Sequence, residues 1–299
     1  MKGFERTTGR LLSVRDRVGR RSNLPVAPPA GPAVALVLSG GSVFGAIQVG
    51  QARALLEAGI VPDLIVGCSV GALNGVFLAS RPDLDRVAEL ERIWMGLRSS
   101  DVFGVRSMRT LANMAAGKEY LCRPDALRQL IGRFCPVEDL AELPCHFEAV
   151  TTDLDSRAPA WWSSGPAVEV LVASAALPGV FPPVVLEGHR HVDGGVLAPV
   201  PVGRAVAMGA RQIFVCDVSA RSRPRLPGQL GALATLLEAF NVARFSGEPD
   251  PLSEEHQRVT VLPAPQFEGL SMMDFRHTRR LVDESYELAG QALASRAAA

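Results

Sequence analysis

Short continuous apolar runs alternate along this chain with longer stretches of helical spacing. Ala33 to Leu38, in "AVALVLSGG", is an unbroken apolar run that ends in glycines, the form of a buried parallel strand. "GAIQVGQARALLEAG" follows, with Ile47, Ala54, Leu55 and Ala58 at helical spacing and Gly59 as a stop. "IVPDLIVG" predicts a second buried strand and "GALNGVFLAS" a second helix. Strand, helix, strand, helix in that order predicts an α/β fold with a mainly parallel sheet covered by helices.

Farther along, "DRVAELERIWMGL" and "PDALRQLIGRF" each carry an apolar stripe and predict amphipathic helices. "CHFEAVTTDL", "VEVLVASAAL" and "RQIFVCDVS" return to strand or mixed patterns, and "FRHTRRLVDESYELAGQALAS" predicts a closing amphipathic helix. Between Arg221 and Pro265, prolines and glycines predict irregular surface around one helix at "LGALATLLEAFNVARF". The first 32 residues differ from the rest. Lys2, Arg6, Arg10, Arg15, Arg17, Arg20 and Arg21 face only Glu5 and Asp16, and "PVAPPAGPA" reads as an extended proline linker. The expected organisation is a basic, proline-rich mobile arm over 1–32 and one domain over 33–299. The arm is either a solvated tail or a contact for an anionic membrane surface.

Composition narrows the function classes. Lys+Arg and Asp+Glu both number 31, so no basic domain points to nucleic acid. Five scattered cysteines with no CxxC argue against a disulfide framework or a zinc site and favour a reducing, cytoplasmic location. The N-terminal residues have no apolar core of a signal peptide. The longest apolar run, "VLVASAALPGVFPPVVL", is cut by Pro178, Pro182 and Pro183, so no stretch spans a bilayer.

Three segments carry candidate chemistry. Gly67-Cys68-Ser69-Val70-Gly71 sits between a predicted strand and a predicted helix, the context of a nucleophile elbow. Glycines two before and two after the serine remove side chains that such a tight turn would crush, and the helix N-terminus behind it favours negative charge. "LSGGSVFG", residues 38 to 45, ends the preceding strand. Neighbouring parallel strand ends lie together, so its backbone N–H groups can face a developing oxyanion. It lacks the GK[ST] of a phosphate loop. The third segment is "HVDGGVLAPVP", where Asp193 precedes two glycines, by itself only a turn signal. His146, His189, His191, His256 and His277 all lie in contexts that read as surface or structural.

Taken together, "LSGGSVFGAIQVG", "GCSVGALNG", "ASAALPGVFPPV", "VDGGVLAPVPVGRAVAMGA" and "VCDV" resemble the patatin-like phospholipase family, in its bacterial form, over about residues 33 to 290. The resemblance implies a three-layer α/β/α fold and a serine–aspartate dyad without histidine, needing no metal or cofactor. Ser69 matches the nucleophile and Asp193 the acid. Gly40, Gly41 and Ser42 match the oxyanion loop, with Gly45, Gly67, Gly71, Gly194 and Gly195 supporting the motifs. The helix-rich stretch near 94 to 140 is expected to cover an acyl-chain pocket. The implied partner is a lipid or acyl ester, with peripheral membrane contact; the oligomeric state is unspecified.

The sequence departs from the family's Gly-Gly-Gly-x-Arg/Lys-Gly loop at two places. Ser42 replaces the third glycine and Phe44 replaces the cation. A positive φ at Ser42 would cost about 1–2 kcal/mol. Phe44 offers apolar surface instead of a charge, which predicts a preference for neutral esters over anionic phospholipids. The expected chemistry is acyl transfer to water through acyl-Ser69 with Asp193 as base. A free aspartate, with a pKa near 3.9, is a feeble base that burial would strengthen. A lipid-binding protein with a weakened site and a histidine-dependent α/β-hydrolase are the competing readings. Other residues read as structure. Asp153 and Asp155 form a turn without further ligands, Trp161 and Trp162 serve packing, a pocket wall or a membrane interface, and Met272 and Met273 belong to the core. Cys68 points away from the nucleophile's position.

Overall fold

The computed structural model describes residues 34–103, 122–218, 258–266, 270–271 and 273–298. The N-terminal arm, the helix expected over 230–245 and Met272 lie outside them.

Five parallel strands form the centre and one flank of the sheet. β1 (Val34–Leu38) lies between β2 (Leu64–Cys68) and β7 (Gln212–Cys216). β2 pairs with β3 (His146–Asp153), and β7 pairs with β8 (Val259–Val261). Leu38 is in register with both Gly67 and Cys216, so the C-terminal ends of β1, β2 and β7 finish at one level. Alternation along the strands divides the core. Leu36, Leu38 and Ile65 face one side, packed with helices α1 (Gly45–Glu57) and α2 (Val70–Ala79). Ala35, Val37, Leu64, Val66, Ile213 and Val215 face the other, against the short α7 (Val202–Ala207). The expected α/β/α layering is therefore present.

The first layer also holds α3 (Leu84–Gly96), α4 (Ser99–Phe103), α5 (Asp125–Phe134), α6 (Ala167–Ser174) and the closing α8 (Thr278–Ala297). α6 corrects the strand or mixed pattern expected for "VEVLVASAAL". Val168, Val170 and Val172 favour a strand, but residues 170–174 are buried all round, and such a run has no diagnostic period. Pro166 precedes its first turn, and Ala167, Val170, Leu171 and Ser174 stack on one face.

The antiparallel part of the sheet places the site. β3 runs past the end of β2, and its extension pairs with β6 (His189–Asp193) on that same edge. β4 (Ala158–Trp162) takes the opposite edge. β6 is one arm of a hairpin with β5 (Val184–Leu186), joined through Glu187 and Gly188, both at positive φ as a two-residue type I′ turn requires. On β3, Val150 is the partner of Cys68 and Thr151 the partner of Asp193. β2 and β6 thus approach end to end along one strand, and their last residues are neighbours. On the far face, buried Glu148 of β3 holds Arg204 of α7 at 2.6 and 3.0 Å, and Arg204 lies over the Trp161 ring. All five cysteines are free thiols, and no helix among the described residues is long and apolar enough to cross a membrane.

Candidate active site

Ser69 follows β2 directly and precedes α2, with φ 54° and ψ −124°. A non-glycine residue rarely holds positive φ, and such outliers gather at functional turns. The turn survives because its neighbours have no side chains. A methyl group on Gly67 would sit 2.5 Å from the Gly71 carbonyl oxygen, and one on Gly71 would sit 2.3 Å from that of Leu38. The Ser69 N–H donates to Ser174 Oγ at 3.0 Å, and the Ser174 hydroxyl donates to the Val150 carbonyl at 2.7 Å. A buried residue of α6 therefore ties the turn to β3. The N–H groups of Ala72 and Leu73 close the first turn of α2 on the Ser69 carbonyl.

Asp193 ends β6 and is buried. Its N–H donates to the Ala176 carbonyl at 2.9 Å, and its own carbonyl accepts from Thr152 Oγ1 at 3.0 Å. Oδ1 accepts the Gly195 N–H at 2.7 Å and lies 3.9 Å from Cys68 Sγ. Gly194 packs on Val150, where an added methyl would meet the carbonyl oxygen at 2.3 Å. Cys68 does point away from Ser69's position, as expected, but toward the acid, a contact that spacing alone did not reveal.

Ser69 and Asp193 line one cavity, together with Gly41, Ser42 and Val70. Its volume is about 150 Å³, enough for an apolar group of about benzene size. The walls are aliphatic and aromatic. Trp94, Leu97 and Phe103 come from α3, its end and α4, Leu127, Ile131 and Phe134 from α5, Phe181 from a loop and Phe275 from the 3-10 turn Phe275–His277 before α8. The helix-rich stretch expected to cover an acyl pocket contributes the wall residues from Trp94 to Phe134; 104–121 lies outside the described residues.

The glycine-rich loop follows β1 and forms a single 3-10 turn over Ser42–Phe44. Ser42 has φ 52°, the strained geometry anticipated for it. Gly40 differs from expectation. Its N–H donates to the Pro199 carbonyl at 3.0 Å, so in this geometry it is not aimed at the cavity. Gly41 and Ser42 are the loop residues that line the cavity, and Val70, first in α2, adds a further N–H at the helix start. Gly45 opens α1, and a methyl there would meet Val70 Cγ2 at 2.4 Å.

Phe44 is a second correction. It is 3% exposed, packs in the main core and is absent from the cavity wall. The 3-10 turn rotates it inward before α1 begins, so it offers no surface to a headgroup.

No histidine lines the cavity among the described residues. His191 is buried with Nδ1 3.0 Å from Thr151 Oγ1, and His189 Nδ1 meets Asp153 Oδ2 at 2.8 Å. The Asp153 carboxylate forms the expected turn, accepting the N–H groups of Asp155 and Ser156 and the Ser156 hydroxyl. Burial pushes its pKa up, but these bonds and His189 hold it far below the usual carboxylate range. The pairing with His189 corrects the expectation that no further ligand-type side chain joins the two aspartates. Asp153, Asp155 and His189 do come together, but away from the cavity and with Arg190 bound to Asp155. Trp162 donates to Thr151 Oγ1 at 2.8 Å, and neither Trp161 nor Trp162 lines the cavity; both pack.

The family model of patatin-like phospholipases matches residues 36–206. The chain belongs to the patatin-like phospholipase family. The patatin-like phospholipase domain-containing protein 7 of Rattus norvegicus is 29% identical over 206 residues, 68% of this chain and 15% of the relative. Lysophospholipase nte1 of Aspergillus terreus is 30% identical over 244 residues, 80% of this chain and again 15% of the relative. This patatin-like chain thus spans only about 15% of the length of these relatives. Among solved structures, VipD from Legionella pneumophila aligns with a TM-score of 0.48 at 12% identity, covering 89% of this chain and 67% of that one.

Two expectations follow for this patatin-like site. Ser174→Ala leaves the part-buried Ser69 N–H without its acceptor, which should cost about 1–3 kcal/mol in chemical denaturation. Phe44→Ala should lose about 3–5 kcal/mol in chemical denaturation by removing a core aromatic.

Proposed function

We propose that this chain is a serine lipid acyl hydrolase of the phospholipase A, lysophospholipase or carboxylesterase type. The supporting observation is that Ser69, on a strained turn between strand and helix, shares one apolar cavity with buried Asp193. The phospholipase and lysophospholipase names of the relatives point to the same substrate class.

Ser69 Oγ attacks the ester carbonyl carbon while Asp193 takes the hydroxyl proton. The carbonyl oxygen becomes an oxyanion, received by backbone N–H groups of Gly41, Ser42 and Val70 at the N-terminus of α2. Collapse breaks the bond to the leaving oxygen, and Asp193 returns the proton to it, releasing an alcohol. A water molecule then gives its proton to Asp193 and attacks the acyl-serine. The second collapse breaks the bond to Ser69 Oγ, Asp193 returns the proton to that oxygen, and the carboxylic acid leaves with Ser69 restored. The carboxylate is oriented for this by the Gly195 N–H, and the backbone on both sides of it is tied down. The acyl chain occupies the aromatic and aliphatic cavity, and a lipid substrate brings the chain to a membrane surface.

A lipid-binding protein with a weakened site is the second reading, favoured by the engagement of the Gly40 N–H with Pro199. A fluorophosphonate probe and model esters separate the two. Labelling and turnover are expected in the wild type and lost in Ser69→Ala, and Asp193→Asn should reduce turnover by about 10²–10⁴-fold. Wild-type hydrolysis that persisted in both variants would exclude the dyad. Across a series of 4-nitrophenyl esters, kcat/KM should rise about fourfold per added methylene, from about 0.8 kcal/mol of burial each, until the cavity is full.

A further inference from the structure

A buried polar unit behind the cavity links its wall, the helix that follows Ser69 and the glycine-rich loop. Asn74 of α2 is 2% exposed and Gln48 of α1 is 1% exposed, in surroundings otherwise made of apolar side chains. Each additional polar group in such a place costs free energy unless its bonding is complete. Here it is largely complete. Asn74 Nδ2 donates to the Gly45 carbonyl at 3.0 Å and to Gln48 Oε1 at 2.8 Å. Asn74 Oδ1 accepts the indole N–H of Trp94 at 2.9 Å. Gln48 Nε2 donates to the Ser39 carbonyl at 2.8 Å and lies 3.5 Å from that of Cys216. Ser39 in turn donates its N–H to the Cys216 carbonyl, and its Oγ accepts the Val218 N–H.

The partners of this unit bracket the loop. Ser39 stands immediately before Gly40-Gly41-Ser42 and Gly45 immediately after Phe44, and both of their carbonyls are held by the two amides. Asn74 belongs to α2, the helix that Ser69 caps and Val70 opens. Gly45 is also where three parts of the site touch. A methyl there would sit 2.4 Å from Val70 Cγ2 and 2.9 Å from the Trp94 ring. Asn74 and Trp94 themselves line the cavity.

We propose that Gln48 and Asn74 are positioning residues that set the oxyanion loop against the nucleophile helix, with Trp94 carrying the acyl wall into the same hydrogen-bonded unit. The loop is short, and one of its residues, Ser42, holds a strained φ. Such a geometry persists only where its surroundings over-determine it. The two amides supply that determination from both ends of the loop. A displacement of about 1 Å in such a site costs about a hundredfold in rate. This inference rests on the acyl-Ser69 reading above.

The test uses the full chain with three substitutions. Gln48→Met and Asn74→Leu keep shape and remove the amides, and Trp94→Phe removes a single donor while leaving an aromatic wall. Active sites are titrated with a fluorophosphonate, and kcat and KM are measured on 4-nitrophenyl butyrate with Tm alongside. Gln48→Met and Asn74→Leu should lower kcat per titrated site about tenfold or more with KM within about twofold, and Trp94→Phe should lower it a few-fold. An unchanged kcat per titrated site, with loss confined to Tm or to the number of sites, would reduce the unit to a fold element and overturn the proposal. If the first two variants do not fold, an unchanged kcat per site in Trp94→Phe overturns it alone. Labelling that persists in Ser69→Ala defeats the acyl-serine reading and this inference with it, whereas normal labelling with unchanged kcat in the variants defeats only this inference.

Discussion

The site depends on one strand having two successive partners on one edge. β3 pairs with β2 in parallel as far as Val150 and with β6 antiparallel from Thr151 onward. Backbone pairing is cooperative and its register is set by which side chains face the core, so a slip of one residue would turn both faces inside out. With the register held, Cys68 and Asp193 end beside each other without any attraction between their side chains being required. A serine 124 residues before an aspartate is brought to the same cavity by main-chain hydrogen bonds.

What is built on that junction is under strain and tightly confined. Ser42 and Ser69 both hold positive φ, and Gly67, Gly71 and Gly194 lie where a methyl group would strike a main-chain carbonyl. Strain of this kind needs over-determined surroundings. Ser174 supplies them for the elbow, Thr152 and Ala176 for the acid, and the Gln48–Asn74 pair for the loop. The side chains of Ser174, Thr152, Gln48 and Asn74 sit in the core, where a hydrogen bond is strong and an unmade one is costly. The same core forms the wall of the cavity, so one set of apolar side chains stabilises the fold and shapes the space beside Ser69.

Much of this was legible in the order of the residues. Apolar runs of strand length, helical spacing in "GAIQVGQARALLEAG" and the glycines around Ser69 are local signals, and the structure contains the elements they predict. The α6 segment was ambiguous because a run buried on every side has no polar face to reveal its period. Phe44 misled for a related reason. Its place in a motif suggested exposure toward the substrate, but a single 3-10 turn decides which way a side chain leaves the backbone, and here it enters the core.

By itself the sequence determined the alternation of strands and helices, the tight turn at Ser69 and the family's motifs, because these rest on residues within a few positions of one another. Tertiary structure decided the rest. It assigned the Gly40 N–H to Pro199, turned Cys68 toward Asp193, gave Ser69 its support from Ser174 and joined Trp94, Asn74 and Gln48 across three helices. Those contacts span tens to more than a hundred residues, and they form only once strand register and helix packing have brought distant segments within hydrogen-bonding reach.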